Sequence, residues 1–339
     1  MGIFANPLTD LLEYEDFSRD FLKGTDSVGM TGCIDSEKVH FMSTFLGEKK
    51  VQLVVTYNEQ RAREIEEDYK LFCSQVYVIP PRDLIFFSAD LQGNAIIAER
   101  MKAFAALYQN EAKVIITTID ALMSAAVPFE QLMSHVIKLK EGDELDLEKL
   151  KHDLTVMGYE RVGQVEMPGQ FSIRGGIIDI YSLTEENPWR IELWGDEIDS
   201  IRSFDAQSQR SLENLDDITI YPAAEQLMEK NGVSFLDYFE EKETLIFLDE
   251  LNHLEENAKA VQEEFQQSCE NRKEKGETNL SGDWMCTWEE LCHKINDRNC
   301  VAMSLLDPKK SNWKISDQFN ITVKSMSSYQ SSFELLVKD

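Results

Sequence analysis

The stretch Val51-Gln52-Leu53-Val54-Val55-Thr56-Tyr57 is an almost unbroken apolar run, and Asn58-Glu59 follows it at once. A strand that covers one face of a sheet alternates polar with apolar residues. A run without alternation is buried on both faces, as in a parallel sheet clad by helices. Asn58 is a good N-cap, Glu59 sits in the first turn where the helix dipole favours an anion, and Ile65, Tyr69 and Phe72 recur at helical spacing. The same grammar repeats downstream. Val76 to Ile79 reads as a strand stopped by Pro80-Pro81, residues 94–109 as an Ala-rich helix, and Lys113 to Thr118 as another buried strand. Upstream lies an amphipathic segment with Leu11, Leu12, Phe17, Phe21 and Leu22. Strands alternating with helices predict a parallel, three-layer α/β unit over residues 1–126.

Around Val127-Pro128 the pattern changes. Residues 138–158 contain a charged, helix-like stretch, and from Val165 short strands with period-two alternation take over. Phe171 and Ile173 alternate with Ser172 and Arg174, Gly175-Gly176 marks a bulge or tight bend, and Ile177 to Tyr181 continues. Arg190, Glu192 and Trp194 then alternate with Ile191 and Leu193, Gly195-Asp196 makes a hairpin turn, and Ile198 to Phe204 returns. Three or four antiparallel strands are expected here, in a small α+β unit over residues 127–216, and Asp217 to Tyr221 is one more strand, closed by Pro222. The α/β grammar resumes over residues 217–339. It comprises the run Leu245 to Leu248, a helix carrying Leu254, Ala258, Val261 and Phe265 on one face, a Thr287/Glu290 capping box, and strands at Val301 to Leu305 and Phe319 to Val323. The topology predicted is one α/β domain interrupted by an inserted α+β domain.

The 339 residues hold 62 Asp and Glu against 34 Lys and Arg, a formal net charge of −28. Such a field repels phosphate backbones and anionic headgroups, which excludes broad nucleic-acid or membrane binding and confines any such contact to a local patch. The six cysteines form no CxxC pair and have no His at zinc-ligand spacing. No metal or other cofactor is expected, and the thiols read as reduced core residues of a cytoplasmic protein. No apolar run approaches the ~20 residues that span a bilayer. The N-terminus does not resemble a signal peptide, and Asn6 stands where a myristoylation signal needs Ser or Thr.

Two places invite a nucleotide. The segment Gly29-Met30-Thr31-Gly32-Cys33-Ile34-Asp35-Ser36-Glu37-Lys38 lies where a P-loop would precede a helix. Counted from Gly29, Asp35 falls where the phosphate-binding lysine belongs. Counted from Gly32, Lys38 falls on the lysine position, but Val39 replaces the hydroxyl that holds Mg²⁺. The second place is Asp249-Glu250, at the end of Leu245-Ile246-Phe247-Leu248, where an ATPase brings an Asp to Mg²⁺ and a Glu to the attacking water. Without a lysine-bearing P-loop the pair has no nucleotide to act on, and the reading preferred from sequence is an ordinary acidic pair at a helix N-terminus. Five scattered histidines, with no GxSxG elbow and no cysteine signature, assign no catalytic residue.

Basic residues are distributed unevenly. From His152 to Glu229, 78 consecutive residues contain no Lys, although 22 Lys in 339 residues would place about five there; the same stretch holds five of the 12 Arg, namely Arg161, Arg174, Arg190, Arg202 and Arg210. Guanidinium engages carboxylates through a planar fork, and Arg is enriched at protein interfaces where Lys is depleted. These arginines could form a docking face or pair internally with Asp179, Glu192, Asp196 and Asp199, and residue pattern alone leaves both readings open.

At these residues the chain resembles a known family. Gly169-Gln-Phe-Ser-Ile-Arg-Gly-Gly-Ile-Ile-Asp-Ile-Tyr181, Pro188-Trp-Arg-Ile-Glu-Leu-Trp-Gly-Asp-Glu-Ile-Asp-Ser-Ile-Arg-Ser-Phe-Asp205, Gln209-Arg-Ser211 and Ile220-Tyr-Pro-Ala-Ala-Glu225 are similar to the homology module shared by the bacterial transcription-repair coupling factors (Mfd) and the excinuclease B subunit (UvrB). The Gly29 loop, the strand and helix pairs to Ala126, and the ending Ser328-Tyr-Gln-Ser-Ser-Phe-Glu-Leu-Leu-Val-Lys-Asp339 resemble the N-terminal part of the coupling factors. The likeness covers nearly the whole chain.

The resemblance implies a helicase-like, RecA-type α/β domain that has lost its ATPase motifs, split by an inserted domain that docks the excinuclease A subunit (UvrA). Carried over by position, Arg161, Phe171, Arg174, Tyr181 and Arg190 match the docking region, while Ser172 stands where excinuclease B has a further Arg. Gly29, Gly32, Lys38, Asp249 and Glu250 correspond to a degenerate nucleotide site, expected to be inactive. The resemblance further implies that these residues are the N-terminal portion of a longer protein. Its RNA-polymerase-binding domain, its ATP-driven translocase on double-stranded DNA and a C-terminal part that masks the docking face lie outside them. The function expected is a non-catalytic adaptor that recruits excinuclease A to stalled RNA polymerase in transcription-coupled nucleotide excision repair. The alternative is a nucleotide-binding, DNA-unwinding and damage-recognising module of the excinuclease B type, motivated by Asp249-Glu250. A regulatory clamp, in which masking controls the same face, is compatible with the first reading.

Overall fold

The computed structural model describes residues 14–15, 17–18, 21, 27–82, 91–225, 232–274, 285–306, 313, 315–321 and 337. Four strands come first, β1 (Val28–Thr31), β2 (Val51–Thr56), β3 (Val76–Ile79) and β4 (Val114–Thr118), with the helices Asp35–Ser43, Glu59–Tyr69 and Leu91–Tyr108 between them. After a short β5 (Ala125–Ala126) the chain turns away through β6 (Ile137–Lys140) and the helix Leu147–Val156. There follow β7 (Glu160–Arg161), β8 (Gln170–Arg174), β9 (Ile177–Ile180), β10 (Trp189–Trp194), β11 (Glu197–Phe204), β12 (Ser211–Leu215) and β13 (Asp217–Ile220). The chain returns through β14 (Val233–Ser234), β15 (Thr244–Asp249), the helices Leu251–Glu274 and Trp288–Asn296, β16 (Cys300–Ser304) and β17 (Asp317–Asn320).

Seven strands join in one sheet of order β17-β1-β16-β15-β2-β4-β3, every neighbouring pair parallel. Alternate residues feed two cores. Leu53, Val55, Ile246 and Leu248 meet Met101, Phe104, Leu254 and Leu291 on one side; Val54, Leu245 and Phe247 meet Phe17, Phe41, Ile65 and Tyr69 on the other. This is the three-layer α/β arrangement that the run at Val51 predicts. The caps are as read from sequence: Asn58 accepts from the Arg61 N–H at 2.8 Å, and Thr287 and Glu290 cap each other's backbone.

Between β4 and β15 the chain builds a second core. Six strands in the order β12-β11-β10-β9-β8-β7 form a sheet that is antiparallel except for the parallel β7–β8 pair. Its inner residues Phe171, Ile178, Ile180, Trp189, Ile191, Ile198 and Ile201 pack with Leu150 and Leu154 of the helix Leu147–Val156. Two-residue turns set the register: Arg174 lies opposite Ile177 across Gly175-Gly176, and Trp194 opposite Glu197 across Gly195-Asp196. Gly175 at φ +63° and Gly195 at φ +66° supply the left-handed backbone that such turns require.

Several elements differ from the sequence reading. β1 lies inside the segment read as a glycine-rich loop; Gly29 blurs the apolar pattern, yet a Cβ there would come within 3.0 Å of Ile315, so the glycine permits close packing. Ile137–Lys140, just ahead of the charged helix-like stretch and assigned to no strand from sequence, is a strand in which Ile137 and Leu139 lie opposite Ile220 and Ile218 of β13. The sequence reading ends the insert at residue 216, whereas Ile218 and Ile220 pack in the insert's own core. β12 is an exposed edge strand and carries no apolar period. Leu11, Leu12, Leu22, Val323 and the ending Ser328 to Asp339, apart from Val337, lie outside the described residues.

Candidate docking face and the buried lysine cluster

Residues of β8 to β11 that point away from the inner core form an outer face. The register sets Ser172, Asp179, Arg190 and Arg202 in one cross-strand row, and Arg174, Ile177, Glu192 and Ser200 in the next. Asp179 is the hub, only 1% exposed. Its Oδ1 accepts from Arg190 Nε at 2.7 Å, and its Oδ2 accepts from Arg190 Nη2 at 2.9 Å and Arg174 Nη2 at 2.6 Å. Arg190 also lies over the Phe204 ring, 4.4 Å from its centre, and donates to Gln209 Oε1 at 3.0 Å. Hydrogen bonding to Asp179 outweighs desolvation and holds the Arg190 guanidinium above its ordinary pKa. Arg202 pairs with Glu192.

The expected docking residues therefore divide. Arg174 keeps 48% of its side chain in solvent despite its bond to Asp179. Arg161, opposite Phe171 on β7, is exposed, and neither it nor the exposed Arg210 forms an ion pair with a described residue. Arg190 is mostly buried and committed internally. Tyr181 is half-buried and donates its hydroxyl to the Glu186 carbonyl at 2.6 Å. Phe171, expected in the docking set, is fully buried in the inner core, because its parity on β8 is opposite to that of Arg174. It supports the strand from beneath. Ser172 is buried too, and donates to the Gly163 carbonyl at 3.1 Å. Sequence reasoning names Asp179 among four candidate acids; cross-strand register, with Arg190 directly opposite, selects it.

The second expected site has a different content. Lys38, in the first turn of the helix Asp35–Ser43, is 1% exposed and donates to Asp249 Oδ1 at 2.8 Å and to Glu250 Oε1. Asp249 Oδ2 accepts from Thr56 Oγ1 at 3.0 Å and from Arg61 Nε at 3.1 Å. Burial works against the Lys38 charge, but Asp249 and Glu250 together raise its pKa above that of an ordinary lysine. Glu250 also accepts from the Leu305 N–H at 2.9 Å, so the acidic pair serves as counter-charge to Lys38 and is more than a helix N-terminal pair. Gly32, at φ +89°, donates its N–H to the Ser304 and Leu305 carbonyls, and a Cβ there would fall 2.0 Å from the Ile321 carbonyl oxygen. Only Gly32-Cys33-Ile34 separates β1 from the helix, and the buried Cys33 thiol is pushed up to about 12, first by burial and then by Glu37. The lysine and acidic side chains that would meet a metal–phosphate are engaged with one another. Among the described residues no group of three His, Cys, Asp or Glu is placed to hold a metal, and no helix is long and apolar enough to cross a membrane.

A third cluster, which the sequence reading missed, seats the insert on the α/β unit. The Glu225 side chain, 2% exposed, lies after β13 and accepts from Arg100 Nε at 2.6 Å and Nη2 at 3.1 Å, with Arg82 Nη1 at 3.5 Å. Arg100 belongs to the helix Leu91–Tyr108, whose Ile97 and Ala98 pack against the insert's core.

The family model for the UvrB interaction domain matches residues 137–225, from the first residue of β6 to Glu225. The chain is 33% identical over 220 residues to the transcription-repair-coupling factor of Staphylococcus haemolyticus strain JCSC1435, covering 64% of this chain and 19% of that protein. It is 32% identical over 243 residues to the transcription-repair-coupling factor of Staphylococcus aureus strain USA300, covering 70% and 20%. With the namesake from Staphylococcus epidermidis strain ATCC 35984 it shares 31% over 238 residues, covering 69% and 20%. The match thus spans about a fifth of the length of these curated relatives. The β6-to-Glu225 insert is a UvrB interaction domain, and the chain belongs with the N-terminal region of the transcription-repair-coupling factors.

Proposed function

We propose that this chain is the recruiting module of a transcription-repair-coupling factor, a non-catalytic unit of the bacterial cytoplasm that docks the excinuclease A subunit on the arginine-bearing sheet face. The observation that carries this reading is the sharing of Asp179 by two guanidinia. Two positive charges against one carboxylate leave one positive charge in excess, on a chain whose net charge is −28. Asp179 holds one nitrogen of Arg174, and the half-exposed remainder of the fork is oriented for a partner's carboxylate. Arg161, exposed on the edge strand β7 in register with Phe171 and so not in the Arg174 row, is a second guanidinium that forms no ion pair with a described residue. A rigid six-stranded sheet holds these groups in place before encounter, which lowers the ordering cost of binding, and the local charge steers a carboxylate-bearing surface toward them.

In the whole protein, RNA polymerase and double-stranded DNA are contacts of other parts, and a C-terminal part covers this face until recruitment is needed. Immobilised chain should capture purified excinuclease A at low salt and lose it progressively as salt screens the contact. Absence of capture at low salt contradicts the proposal. The excinuclease-B-like reading requires a nucleotide at Lys38 and Asp249, which are bonded to each other. Titration with Mg·ATP should give no saturable heat, and saturable binding at micromolar ATP would overturn this view of the site.

A further inference from the structure

We infer that Trp194 is the apolar anchor of this face, the residue over which the excinuclease A surface closes; the inference rests on the docking reading above. Trp194 is 83% exposed. It ends β10 on the same parity as Arg190 and Glu192, opposite Glu197 and next to the Gly195-Asp196 turn. Ile177, also exposed, lies between Glu192 and Arg174 in the neighbouring row, so the indole, an isoleucine and a half-exposed guanidinium share one side of one sheet. The hairpin tip is held in place. The Leu193 N–H donates to the Gly176 carbonyl at 2.8 Å, and a Cβ on Gly176 would come within 3.2 Å of the Leu193 carbonyl, so the two tips fit against each other.

A water-exposed indole on the same sheet side as a half-exposed arginine combines the two residue types most enriched among interface hot spots, and most of the indole's area is free to be buried by a partner. The charge excess around Asp179 commits the occupant to a surface that presents a carboxylate beside an apolar recess, and on the docking reading that surface belongs to excinuclease A. The neighbouring Glu192–Arg202 pair is self-neutralised, whereas Asp196 and Glu197 beside the indole are exposed and acidic, so a partner's carboxylate is met at the Arg174 end of the face and the indole end takes the apolar contact.

The test uses the full chain in three forms, the parent, Trp194→Ala, and Arg161→Ala with Arg174→Ala, each titrated with purified excinuclease A. Urea midpoints and sedimentation are recorded in parallel. Trp194→Ala should weaken binding at least about tenfold while leaving the urea midpoint in place, since the lost side chain is solvated, and Trp194→Phe should retain most of the affinity. Parent-like binding by Trp194→Ala, with loss in the arginine variant, overturns the inference and leaves the docking reading standing. No binding by the parent, or unchanged binding by the arginine variant, removes the docking reading itself. A parent dimer that Trp194→Ala dissociates overturns the inference in favour of a second copy on this face.

Discussion

Asp179 and Arg190 face each other across β9 and β10, and both oxygens of the carboxylate accept from the guanidinium, at 2.7 and 2.9 Å. The pair is structural, whereas Arg174 on the same carboxylate is half in water. Arg190→Ala should therefore cost roughly 3 kcal/mol of stability, because it leaves a buried carboxylate with one half-exposed partner and uncovers Phe204. Arg174→Ala should cost less than about 1 kcal/mol, since an exposed pair is screened, and should act on excinuclease A binding instead. Urea unfolding of both variants checks the contrast.

Lys38, Asp249 and Glu250 form a buried ion cluster whose parts cannot be removed singly. Lys38→Met should destabilise by roughly 3–5 kcal/mol, by leaving carboxylates without their counter-ion. Adding Asp249→Asn and Glu250→Gln to Lys38→Met should restore most of that loss. Equal damage in the single and triple variants, measured by urea unfolding, would contradict the counter-ion role.

Acid should loosen the seat of the insert. Burial alone would push the Glu225 carboxyl up, but Arg100 and Arg82 bring it below its ordinary value. A folded pKa below the unfolded value of ~4.3 means that the unfolded chain binds more protons in that window. The contribution is therefore complete above about pH 4.3 and is lost as pH falls through the folded pKa. Urea midpoints followed down through that window should fall more steeply for the parent than for Glu225→Gln, and parallel curves would contradict the sign.

The legible parts of the fold were those with a two-sided or alternating apolar pattern, such as Val51–Tyr57 and the strands around Phe171 and Ile191. β1 escaped because Gly29 interrupts the pattern, and β12 because an edge strand wet on both faces has none. At the docking face, the resemblance carried Phe171 along with its neighbours, whereas period two alone separates it from Arg174. The contact of Lys38 with Asp249 joins residues 211 apart in sequence, and no local pattern reports it. Asp179 was readable as one candidate acid of four; only the register set by the Gly175-Gly176 turn and the β10 pairing brings it to both arginines.

The central claim is that Arg161 and Arg174 carry recruitment. Calorimetric titration of excinuclease A into the parent chain and into the Arg161→Ala/Arg174→Ala variant, with the variant's fold verified by circular dichroism, tests it most directly. The parent should bind saturably, and the variant should lose at least about 2 kcal/mol, roughly 30-fold. Superimposable isotherms from two folded proteins would contradict it.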